Sequence, residues 1–90
     1  MKTIELFEGK EFATKKLILE VVRPSRMGMD LEELRKRCRI LAALETAEVV
    51  LQLEDADYDV LCGILRGFAY GTASSELLKI VDDILDLGAK

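Results

Sequence analysis

Val49-Val50-Leu51-Gln52-Leu53-Glu54-Asp55-Ala56-Asp57-Tyr58 passes from one periodicity to another, and that change decides the fold class. The first five residues are rich in β-branched and apolar side chains and lie between helical patterns, as a short strand would. From Asp55 onward the apolar residues fall three and four apart, at Tyr58, Leu61, Cys62, Leu65, Phe68 and Ala69, which is one face of a helix. Asp55 stands where a cap for the free first-turn amides is expected, and Gly71 where a left-handed residue would close the helix. A strand feeding a helix in this way implies mixed α and β structure.

Working towards the N-terminus, Asp30 and Glu33 have the spacing of a capping box, so a helix is expected from Leu31 to about Thr46. Its buried face should be Leu31, Leu34, Cys38 and Leu41. Arg23-Pro24-Ser25-Arg26-Met27-Gly28 reads as the loop before it, because proline restrains its neighbour and donates no backbone hydrogen bond. Ahead of that loop, Thr3–Phe7 and Lys16–Val22 have strand character and flank Glu8-Gly9-Lys10, which suggests a β-hairpin. A helix from about Lys10 to Val22 is the rival, and the β-branched end of the segment argues for the strand. Towards the C-terminus, Ser74 or Ser75 should start a helix that runs to about Leu87 and closes at Gly88. The expectation is one α+β domain spanning residues 1–90, in which an N-terminal β-hairpin and a short third strand pack with three α-helices.

Half of the residues are hydrophobic and a third are charged, the balance of a chain that folds. Ninety residues build a thin core, since a chain this short buries roughly 60–65% of its unfolded surface. No leader pattern and no apolar run approaching ~20 residues is present, so a cytoplasmic address with no membrane partner is expected. Cys38 and Cys62 sit within apolar helical patterns and are expected to be buried free thiols.

The chain contains no histidine. This removes the usual general base, the Ser-His and Cys-His nucleophile pairs and the commonest metal-binding ring, and two cysteines cannot complete a structural zinc site within one chain. Asp55-Ala56-Asp57-Tyr58-Asp59 resembles the opening of a calcium loop. The glycine such a loop needs at its sixth position is Val60, and the glutamate it needs at the twelfth is Arg66. Capping and the helix dipole account better for these carboxylates. No enzyme activity, cofactor or metal is therefore expected.

The net charge is −4, yet residues 23–44 carry six basic side chains against three acidic, while residues 45–90 carry three against ten. Within the run Arg35-Lys36-Arg37-Cys38-Arg39, Glu32 stands four residues before Lys36 and Glu33 four before Arg37, a favourable order for ion pairs on a helix. Arg35 and Arg39 lack such a carboxylate. Either the acidic half of the chain supplies it or a partner does.

Two further features point to macromolecular contact. Gly63, Gly67 and Gly71 recur every fourth residue, and the two interior ones together cost about 2 kcal/mol against alanine unless another backbone approaches them closely. Residues 77–87 carry a wide apolar stripe that includes Leu78 and Leu85, more than a helix beside a small core needs.

The stretch from Met27 to Leu87 is similar to small uncharacterised proteins of tailed phages and prophages. The likeness rests on the Leu31-Glu32-Glu33-Leu34-Arg35-Lys36-Arg37 helix start, the Leu51–Tyr58 junction and the Val81-Asp82-Asp83-Ile84 ending. It implies a partner in virion assembly or in host or phage regulation, and it carries no active residues over. The expected function is a non-enzymatic protein-protein interaction or assembly protein that associates with itself, with Gly63, Gly67, Gly71, Leu78, Leu85, Arg35 and Arg39 as contact residues. The alternative is a small nucleic-acid-binding regulator that uses the basic helix 30–46, which the acidic total charge disfavours.

Overall fold

A computed structural model describes residues 1–24 and 28–89. Along the chain run β1 (Lys2–Glu5), α1 (Thr14–Val22), α2 (Leu31–Thr46), β2 (Val50–Leu53), α3 (Asp55–Gly67), α4 (Ser75–Asp86) and a closing 3-10 turn, Leu87–Ala89. The architecture is α+β. Among the described residues it has four α-helices and a two-stranded sheet, where three helices and three strands were expected.

The difference lies at the N-terminus. β1 pairs antiparallel with β2, with Ile4 opposite Leu51, and the segment expected as the second arm of a hairpin forms α1. Its buried residues are Thr14, Leu17, Ile18, Val21 and Val22, spaced as one helical face. Strand propensity in Val21-Val22 is worth tenths of a kcal/mol, and burial of this face outweighs it. A trace of the hairpin survives. Glu8 and Ala13 form an isolated antiparallel bridge, the Gly9 amide donates to the Phe12 carbonyl at 2.8 Å, and Phe7 and Thr14 exchange two hydrogen bonds. Gly9 is required in that turn, because an added Cβ would lie 2.9 Å from the Phe12 carbonyl oxygen.

The buried residues form one cluster in which Ile4, Leu51 and Leu53 of the sheet meet Ile18, Val22, Ile40, Leu44, Leu61, Leu65 and Ile84 of the helices. Tyr58 is buried within it. Its hydroxyl donates to the carbonyls of Ile84 and Leu85, tying α3 to the end of α4, and Gly88 leaves room for the ring, since a Cβ there would come within 3.1 Å of it.

Caps set the helix limits. The Glu33 amide donates to Asp30 Oδ1 at 2.8 Å and the Leu77 amide to Ser74 Oγ at 3.4 Å. α3 has no side-chain cap at its start, where Asp55 is its first helical residue. It ends at Gly67 and not at Gly71, because Phe68 turns to an extended conformation and Tyr70 folds back, its hydroxyl donating to the Leu65 carbonyl at 2.8 Å. None of the helices among the described residues is long and apolar enough to cross a membrane.

Candidate interaction surfaces

α2 is rotated relative to the reading of its sequence. The residues it buries are Arg37, Ile40 and Leu44, whereas Leu31 is 60% exposed, Leu34 45% exposed, and Cys38 lies on the surface beside them. The expected core face of this helix is thus an outward apolar stripe, of which Leu41 alone is half-buried. Cys38 is an exposed thiol; Cys62 is the buried one, as expected.

Arg37 explains the rotation. Its Nη1 donates to the Val22 carbonyl at 3.0 Å and to the Pro24 carbonyl at 2.9 Å, and its Nη2 pairs with Glu33 at 2.8 Å. α1 has no basic residue in its last turn, so the Arg37 guanidinium satisfies its terminal carbonyl from the neighbouring helix. The expected Glu33–Arg37 pair forms, and it takes the Glu33 carboxylate away from the capping box. Glu32 and Lys36 form no pair.

The two remaining arginines differ. Arg39 finds its carboxylate within the chain: Nε donates to Asp57 Oδ1 at 3.2 Å, with the Asp57 side chain 11% exposed in the first turn of α3. Arg35 is exposed and pairs with no carboxylate among the described residues. Ser25, Arg26 and Met27 of the expected loop lie outside the described residues.

Gly63 and Gly67 lie on the exposed side of α3, and beyond the adjacent backbone of α3 itself no described atom comes within 4 Å of where their Cβ atoms would be. Close approach of another element's backbone is therefore absent among the described residues. Gly71 lies beyond the helix end, so the ladder has two rungs and not three. Both glycines border an open groove of about 760 Å³, lined by Val21, Val60, Ile64 and Phe68 and bounded at one end by the Glu33–Arg37 pair. The Phe68 ring is held edge-on to Tyr70, centroids 5.1 Å apart. On α4, Leu78 is 60% exposed and Leu85 half-buried against the core.

Among the described residues every buried side-chain nitrogen or oxygen has a hydrogen-bond partner, and no group of three His, Cys, Asp or Glu could hold a metal ion. Both tyrosines have raised pKa values. Burial, with the Cys62 thiol beside it, pushes Tyr58 from 10.0 up to about 12, and burial raises Tyr70. Burial is the largest cause in both, so the shifts report packing.

The α2 stripe was not foreseen because amphipathic helices usually bury their leucines, and a guanidinium buried in exchange leaves no mark in the pattern. No protein-family model matches the chain, and the curated proteins and the solved structures yield no match either.

Proposed function

We propose that this chain is a non-enzymatic interaction or assembly protein that associates with copies of itself. The observation that carries the reading is the outward stripe of α2. A folded domain with a thin core leaves Leu31, Leu34 and Cys38 in solvent while it buries an arginine on the adjoining face of the same helix. Grouped exposed apolar side chains in a small domain mark contact surfaces. The open glycine groove on α3 and the exposed Leu78 on α4 add to the same reading. Resemblance to small phage proteins is consistent with virion assembly or with host or phage regulation as its setting, in the host cytoplasm or the virion.

The basic helix offers nucleic acid less than its sequence promises. Arg37 is buried with all three guanidinium nitrogens bonded and Arg39 leans on Asp57, which leaves Arg35 and Lys36 as the cations of the run without a carboxylate. Backbone recognition needs several phosphate contacts. No retardation of DNA or RNA in a mobility-shift assay at low salt is the expected outcome, and a shifted band that fades as salt rises would reinstate the alternative.

Sedimentation velocity across the micromolar range tests self-association. The weight-average mass should rise with concentration. A strictly monomeric species throughout would contradict it.

A further inference from the structure

Two helix surfaces match each other. On α2, Leu34 and Leu41 are seven residues apart with Cys38 between them, and Arg35 and Arg39 flank this stripe on one side, assuming ~100° per residue. On α4, Leu78 and Leu85 are likewise seven apart, and Asp82 and Asp86 flank them on the corresponding side, where the one cation, Lys79, is paired with Asp83. When two helices pack antiparallel, like flanks meet, so the basic edge of one would lie along the acidic edge of the other. Leu34 then falls opposite Leu85 and Leu41 opposite Leu78, with Arg35 near Asp86 and Arg39 near Asp82.

Within one chain three of these four charged groups are unspent, and Arg39 is engaged through Nε alone. Arg35, Asp82 and Asp86 have no ion-pair partner among the described residues, and the bond from Arg39 Nε to Asp57 leaves both its terminal nitrogens free. Leu34 and Leu78 are the exposed members of the two leucine pairs. We infer that the outer face of α2 docks antiparallel on the outer face of α4 of a second copy, which makes Arg35 and Arg39 the cations that select Asp86 and Asp82. The inference rests on the self-association reading and says which surfaces carry it.

The contact is between unlike faces. One copy's α2 engages the next copy's α4, so repetition builds rings or chains unless a two-fold axis lets two copies engage both faces mutually. Two helices of three to four turns bury an area at the low end of specific interfaces, below about 1,200 Å², so association in the micromolar range is expected. Antiparallel alignment also sets the helix dipoles head to tail.

The test uses two surface variants of the full chain, Leu34→Glu with Arg35→Glu, and Leu78→Lys with Asp82→Lys, studied by sedimentation velocity alone and mixed. Each alone should self-associate at least about tenfold more weakly than the wild type. An equimolar mixture should regain complexes, because the first variant keeps an intact α4 face and the second an intact α2 face. Should either double variant melt early, Arg35→Glu and Asp86→Lys as single changes carry the same prediction with a smaller loss. A wild type that associates while the variants associate equally well, or while their mixture stays as weak as its components, overturns the inference and leaves self-association standing. A wild type that is monomeric throughout overturns both.

Discussion

Arg37 is the residue on which the geometry of the chain turns. Its guanidinium meets two carbonyls at the end of α1 and the carboxylate of Glu33, all within 3.3 Å. Arg37→Ala would leave the Val22 carbonyl without its donor and Glu33 without its cation, a loss of about 2–4 kcal/mol in chemical denaturation. Arg35→Ala, on the exposed flank, should cost within about 0.5 kcal/mol. The glycines of α3 carry the opposite sign. With nothing within 4 Å of either, Gly63→Ala should stabilise the isolated chain by about 0.5–1 kcal/mol, and Gly67→Ala by less at the helix end. Tyr58 adds a pH dependence. Its folded value lies above the unfolded one, so its contribution to stability is complete below pH 10 and is lost as the pH rises through 10 towards about 12. An alkaline titration followed by phenolate absorbance should show Tyr58 ionising together with unfolding, whereas a phenolate formed near pH 10 in a folded chain would show that the hydroxyl is not held by Ile84 and Leu85.

At the level of elements, α2, β2, α3 and α4 were legible from their periodicity, with boundary signals that hold at the starts of α2 and α4, while the cap expected at Asp55 and the closure expected at Gly71 fail for α3. Asp30 and Ser74 cap as their chemistry suggests, and the Leu53–Asp55 junction lies where strand spacing gives way to helix spacing. α1 was misread because Leu17-Ile18-Leu19 blurs the alternation and Val21-Val22 pulls towards strand. The decisive spacing, Thr14, Leu17, Ile18, Val21 and Val22, is present, but its first member is a polar residue buried by its hydrogen bonds to Phe7. α2 was placed correctly and oriented wrongly, for a reason of the same kind: the stripe with more leucines lost to a stripe held by a buried arginine. Ile40→Ala or Leu44→Ala should therefore cost about 2–5 kcal/mol, while Leu31→Gln or Leu34→Gln should leave the melting temperature of a dilute sample nearly unchanged. The reverse ranking would restore the orientation suggested by the pattern.

For the whole molecule, the candidate surface was legible in part. Leu78 is on the surface as expected, Leu85 only half so, and Arg39 is taken by Asp57, which is how the basic segment and the acidic half meet inside the fold. The α2 stripe could not be seen before the fold, because exposure belongs to the packed chain and not to the helix. The two cysteines report on that packing, since one lies on the outward stripe and the other in the core. Thiol titration of the folded protein with a colorimetric disulfide reagent at low micromolar concentration is the most direct measurement. Cys38 should react at the rate of a free surface thiol and Cys62 only after denaturation, with Cys38 slowing as the protein concentration rises and α2 becomes covered. Two silent thiols in the dilute folded protein would put Leu31, Leu34 and Cys38 back in the core and contradict the account.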